Sequence, residues 1–159
     1  MRAIRCLLSA LFVLFVISGC QPGELGVFSS SAIPSKPDPA EYHSDTAGVA
    51  ATAGEDYPML RLNALKGDGA SLRKIFWLTK HAGFDAASAE GNSMYLGELL
   101  RRTGDDYFGS HLLKEPREVR NSVQEMVLWD FGWQNTDITV EEIKDWYPKT
   151  FKGYQPEEY

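Results

Sequence analysis

The chain has 159 residues, with 16 Lys and Arg against 22 Asp and Glu, and its formal net charge at pH 7 is −6. This acidic balance argues against a nucleic acid partner, because binding to phosphates needs a surplus of basic side chains. The sequence has only two cysteines, Cys6 and Cys20, and therefore offers little for disulfides or thiolate metal sites.

The first twenty residues have the features of an export signal. Arg2 and Arg5 precede an apolar run from Cys6 to Ile17, and small residues follow it. The run is shorter than the roughly 20 residues that a membrane-spanning helix needs. The pattern therefore predicts a secretory signal peptide, with an uncleaved anchor helix as the alternative.

The end of this signal, Ile17-Ser18-Gly19-Cys20, resembles the lipobox of bacterial lipoproteins. The resemblance implies that residues 1–19 are cleaved and that the Cys20 thiol carries the lipid that holds the mature chain on a membrane. In bacterial lipoproteins, a residue other than Asp directly after the lipidated cysteine permits export to the outer membrane. Gln21 occupies this position, so the resemblance implies an outer-membrane location facing the periplasm. An ordinary cleaved signal peptide with a chance cysteine is the other interpretation.

Residues 20–57 change in composition to Ser, Ala, Gly and Pro, with few large apolar side chains. They show neither the helical nor the strand hydrophobic period, so we expect the lipidated Cys20 to be followed by a flexible linker. A flexible chain of this length reaches about 30–35 Å, enough to hold a domain away from a membrane. Alternatively, the linker itself binds a partner.

Residues 58–159 indicate one small all-α domain of about five or six short helices, followed by an aromatic and acidic C-terminal tail. An interruption at Gly91-Asn92 is expected to separate a segment capped by Asp85 from the next helix. The first three predicted helices run from Pro58 to Gly67, from Ala70 or Ser71 to Gly83, and from Ser93 to Gly104.

Three more helices are predicted in the second half of the domain. Thr139 and Glu142 have the spacing of a capping box, which marks the start of the last one. Gly67 and Gly104, 37 positions apart in similar contexts, hint at helical-hairpin, solenoid-like packing. The predicted ranges are Asp105 or Asp106 to just before Pro116, Pro116 to Asp130 with Gly132 as the stop, and Thr139 to Tyr147.

The C-terminal region is rich in aromatic residues that lie among charged ones. We expect these rings to pack back over the helices, since a small domain needs its large apolar side chains for its core. An aromatic docking segment is the alternative. The residues concerned are Trp133, Trp146, Tyr147, Phe151, Tyr154 and Tyr159.

Two histidines are the first residues to consider for chemistry. His81 lies four positions before Asp85, and His111 follows Asp105 and Asp106 closely, which are spacings that a metal site or an acid–base pair uses. No HExxH motif, paired histidines or Cys/His cluster accompanies them, so the sequence predicts no catalytic, metal or cofactor site. Structural roles at helix ends are expected for both histidines.

These features favour a tethered interaction protein over an enzyme. We expect a lipid-anchored domain that binds another envelope protein, either as an assembly accessory or as an immunity or inhibitor protein that neutralises a toxin. The competing hypothesis is a small-ligand-binding or hydrolytic envelope protein with a polar cleft near His81 and His111.

Overall fold

A computed structural model describes residues 43–134 and 137–156, without the side chains of residues 133 and 134. The predicted signal peptide, the lipidation site Cys20 and the linker up to residue 42 lie outside the described residues. All regular structure in the described ranges is helical, which confirms the all-α prediction. The helices are α1 (Ser44–Thr52), α2 (Tyr57–Leu65), α3 (Gly69–His81), α4 (Ala86–Thr103), α5 (Asp105–Leu112), α6 (Arg117–Gln134) and α7 (Val140–Trp146).

The helix α1 corrects the prediction that residues 20–57 form a flexible linker, because Ser44–Thr52 is helical and packs on α4. The helix buries only Thr46 and Ala50, whose small side chains give no hydrophobic period in the sequence. A hydrogen bond joins α1 to α4, in which the Thr46 hydroxyl donates to the backbone carbonyl of Ser88 at 2.9 Å. Tyr57, at the predicted end of the linker, is a fully buried core residue.

The helix α4 is continuous through Gly91 and Asn92, where the sequence predicted an interruption. A Cβ at Gly91 would overlap Thr46, so glycine lets α1 approach α4 closely. Asn92 is fully buried, and its side chain accepts from the Tyr57 hydroxyl at 2.7 Å and donates to Thr79 Oγ1 at 3.2 Å. Tertiary contacts therefore account for two residues that local propensity assigns to a break.

The packing is centred on α4, which contacts α1, α2, α5 and α6. The helices α2 and α3 pack against each other, α1, α5 and α6 pack on α4, and α7 contacts α6, so the helices do not form a linear stack. Bulky residues from most of the helices meet in one core; its largest fully buried side chains include Tyr57, Phe76, Leu96, Leu99, Phe108 and Leu112.

A buried ion pair joins α4 to α6. The Arg101 guanidinium donates to Asp130 Oδ2 at 2.6 Å and lies 5.1 Å from the centre of the Phe131 ring. The Asp130 side chain is completely buried against Gly97, where an added Cβ would overlap the carboxylate. Asp130 is thus a buried residue inside α6, which continues past the predicted end at Asp130 and Gly132 to Gln134.

Three of the C-terminal aromatic residues pack back on the domain as expected, since Phe151 is buried and Tyr147 and Tyr154 pack partly buried against the core. Trp146 is exposed instead, and the Trp133 side chain and Tyr159 lie outside the described residues. The Asp105 carboxylate accepts from the backbone N–H of Lys149 at 2.8 Å and of Thr150 at 2.7 Å, and Phe151 enters the core. Gly109 gives the room for this backbone contact. The predicted capping box of the last helix is also present, with the Glu142 N–H donating to Thr139 Oγ1 at 3.2 Å.

We expect the substitution Gly97→Ala to lower the free energy of unfolding by about 2–4 kcal/mol, because the new methyl group displaces Asp130 from its buried partner. The matched control is Gly48→Ala, another mid-helix glycine, whose Cβ would meet open space. Alanine there should be neutral or raise stability by up to about 1 kcal/mol. Urea unfolding followed by far-UV circular dichroism measures both, and equal effects of the two substitutions would contradict the account.

Candidate interaction surface

The helix α3 is amphipathic, with its charged side chains on one side and its aliphatic ones on the other. Its inward side carries Leu72, Ile75, Phe76 and Leu78, all fully buried. Its outward side carries Arg73, Lys74, Trp77, Lys80 and His81, which we call the α3 face. These five residues are all exposed, and the spacing of four between Arg73, Trp77 and His81 aligns their side chains along the helix.

Local signals fix where α3 begins and ends. The Asp68 carboxylate accepts from the backbone N–H of Ala70 at 3.1 Å and of Ser71 at 3.2 Å, and capping lowers the pKa of Asp68, the Ser71 hydroxyl being the largest cause. At the other end, Lys80 and His81 lie in the last turn, where cations interact favourably with the helix dipole. Gly83, with a φ of +73°, turns the chain toward α4.

Trp77 is the centre of the α3 face. Half of its surface is accessible to solvent, the largest exposed fraction of any large apolar side chain among the described residues. The indole stacks on His81, with ring centroids 4.8 Å apart and an angle of 33° between the planes. Stacking limits the rotamers of both rings, so a partner meets a preformed aromatic platform.

Two ion pairs position the cations beside this platform. Arg73 Nε lies 2.5 Å from Glu115 Oε1, and Lys74 Nζ lies 2.6 Å from Glu55 Oε1. Arg73 and Lys74 are a little over half exposed, at 53% and 55%, whereas Glu115 and Glu55 are only 9% and 23% exposed. In each pair the cation is therefore the more accessible partner, and with Lys80 the three cations of the face exceed these two carboxylates by one charge.

His111 lies at the opposite end of α3 from His81. Its ring contacts Gly69, the first residue of α3, and stacks with Tyr107 at a centroid distance of 4.8 Å. Because Gly69 and His81 are twelve residues apart in a helix, the two histidines are separated by about 18 Å. They therefore do not line one cleft.

The carboxylates that the sequence placed near these histidines have other partners. Asp105 accepts the backbone of the C-terminal segment, and Asp106 pairs with Lys149 at 2.7 Å, which lowers the pKa of Asp106. Asp85 is the N-cap of α4, where its backbone N–H donates to Ser88 Oγ at 2.8 Å. In the part of the chain that the structure describes, no three His, Cys, Asp or Glu side chains come together as a metal site.

A shallow hollow of about 350 Å³ lies elsewhere, between the start of α6 and the C-terminal segment. Its lining includes Arg117, Asn121 and Gln155, and the Arg117 side chain donates to the Gln155 amide oxygen. No histidine lines this hollow, and its sides are polar and apolar in similar measure.

No protein-family model matches the chain, and no curated protein or solved structure has significant similarity to it. None of the described helices is long and apolar enough to cross a membrane. The candidate surface is therefore defined by the exposure, contacts and charges of its own residues. Sequence reasoning placed Trp77 on no face, although the spacing of Arg73, Trp77 and His81 was the signal that identifies it.

We expect the pKa of His111 to lie below its ordinary value of 6.5, because burial disfavours the imidazolium, and Lys114 and Arg73 repel it. The unfolded chain then takes up this proton at a higher pH than the folded chain does. The stability contributed by neutral His111 is thus present above about pH 6.5 and is lost as the pH falls below it.

Imidazole ¹H–¹⁵N spectra recorded across a pH titration measure this pKa, with exposed His81 as the internal comparison. The loss of stability on acidification should also be smaller in the variant His111→Gln. A His111 pKa at or above 6.5 would contradict the placement of this ring.

Proposed function

We propose that this protein is a lipid-anchored envelope protein whose helical domain binds another envelope protein through the α3 face. The observation that carries the proposal is the half-exposed Trp77, held on His81 between cations that ion pairs keep in place. Tryptophan and arginine are enriched among the residues that dominate protein–protein binding energies. Fixed side chains also lose less conformational entropy on binding than mobile ones do.

The proposed anchor is the lipid on Cys20, for which the lipobox-like Ile17-Ser18-Gly19-Cys20 is the support. Each buried methylene of an acyl chain contributes about 0.8 kcal/mol, so two or more chains hold a domain at a membrane without any spanning helix.

Two roles belong to this class, an accessory of an envelope assembly and an immunity or inhibitor protein that neutralises a toxin. They differ in the partner, which is a resident envelope protein in the first role and a secreted protein in the second. The competing hypothesis, a ligand-binding or hydrolytic cleft near His81 and His111, has less support, since these residues lie at opposite ends of α3. We therefore favour a binding surface over a cleft.

The test is a cross-linked pull-down of the full-length, affinity-tagged protein from its native envelope, quantified by mass spectrometry. We expect a stoichiometric partner with the unmodified chain, and at least a tenfold loss of that partner with Trp77→Ala, because removing a central aromatic anchor costs about 2 kcal/mol or more. The matched control is Trp146→Ala, an exposed tryptophan on α7, which should retain the partner.

In the same experiment, Cys20→Ala should abolish incorporation of labelled fatty acid and leave the precursor uncleaved. Trp77→Ala is expected to fold, because Leu72, Ile75 and Phe76 on the inner side of α3 are unchanged, and circular dichroism checks this. Equal recovery of the partner with Trp77→Ala would exclude the α3 face as the binding site. Normal maturation of Cys20→Ala would exclude the anchor.

A further inference from the structure

The charges of the α3 face have one sign. The helix sequence from Gly69 to His81 contains Arg73, Lys74 and Lys80 but no Asp or Glu. Lys80 is exposed and has no ion pair within the described ranges, so its charge is fully available to a partner. The carboxylates of Glu55 and Glu115 are less exposed than the cations they hold. The α3 face is net positive although the whole chain carries a net charge of −6.

That contrast selects which side of the domain meets a negatively charged partner. Among the described helices, α3 alone has more than one basic residue and no acidic one, whereas the described domain as a whole has more acidic than basic side chains. An acidic surface is therefore attracted most strongly by α3, and the electrostatic field orients the encounter. A basic partner is instead repelled by the cations of α3. Complementarity of charge therefore indicates an anionic partner for this face.

The positions of the apolar side chains of α3 favour a protein partner over a lipid surface. A helix that lies in a membrane interface inserts a broad apolar side into the acyl chains. The apolar side of α3 is already used, since Leu72, Ile75, Phe76 and Leu78 are fully buried in the core. Only the Trp77 ring remains outside, and it is a single anchor surrounded by charges, which is the arrangement of a protein–protein contact with a polar rim.

We infer that the partner of the α3 face is a protein with acidic side chains around one apolar slot, into which the Trp77 indole fits. The inference rests on the proposed binding function and specifies the chemistry of its partner. In this arrangement the partner's carboxylates face Arg73, Lys74 and Lys80, while His81 supports the indole from the side away from the slot. The ionic rim fixes orientation, and the buried indole supplies most of the affinity.

The experiment places the photoreactive amino acid p-benzoylphenylalanine at position 70 of the full-length lipidated protein in its native envelope, because Ala70 lies two turns before Trp77 on the same side of α3 and leaves the indole in place. This group reacts with C–H bonds of proteins and lipids alike, so the adduct reports what occupies the face. The matched control has the same group at position 146, on α7, whose neighbours Glu141 and Asp145 are acidic. Adducts are identified by mass spectrometry down to the cross-linked peptide.

We expect one protein adduct at position 70, formed with a segment that combines Asp or Glu with apolar residues, and none of that adduct at position 146. Adding Lys80→Glu should lower its yield at least about fivefold, because one attraction becomes a repulsion. The control Lys152→Glu changes the net charge equally on an exposed lysine of the C-terminal segment and should leave the yield unchanged.

Each other outcome overturns a definite part of the account. A phospholipid adduct at position 70 would replace the protein partner by an anionic membrane surface. A protein adduct with a basic or uncharged segment, or one that is insensitive to Lys80→Glu, would overturn the acidic partner and leave the proposed binding function standing. No adduct at position 70 above background would overturn both.

Discussion

The structure depends on how closely α4 approaches its neighbours. Gly91 and Gly97 lie on this helix where α1 and the Asp130 carboxylate of α6 come nearest, and a methyl group at either position would overlap them. The Arg101–Asp130 ion pair closes the contact with α6 in a region without access to water for the carboxylate. A buried charge of this kind is tolerated only while its partner is in place, so the two helices hold one relative position.

The α3 face is rigid because of this packing. The helices α2 and α6 cover the inner side of α3, and α4 in turn packs against both of them. With its apolar residues buried, α3 keeps its register, and Trp77, His81 and the paired cations stay in fixed positions on the outside. A rigid surface of this kind suits the proposed binding through shape and charge, because side chains in fixed positions lose little conformational entropy when a partner binds.

The sequence predicted the elements that local chemistry decides. Gly83 is a stop signal and Thr139 with Glu142 is a cap signal, and both hold regardless of tertiary structure. The end of α3 and the start of α7 follow from them. The sequence-based prediction failed where tertiary packing overrides local helix propensity. The helix α1 buries only small residues, and Gly91 with Asn92 continues α4 because of contacts with distant residues. Asp130 looked like a helix end, and its burial is visible only in three dimensions.

For the candidate site, the sequence indicated the histidines, because imidazole side chains can bind metals and transfer protons. Trp77 is distinguished by its solvent exposure, which cannot be read from a sequence. The lipid on Cys20 stays a prediction.

The central claim is that the α3 face is covered by a partner in the envelope and free in the purified protein. Hydroxyl-radical footprinting measures this directly, because the oxidation rate of each tryptophan follows its exposure. The account predicts that oxidation of Trp77, relative to that of Trp146, falls several-fold when the protein is labelled in intact native envelopes instead of in purified form. An unchanged ratio of the two rates would contradict it.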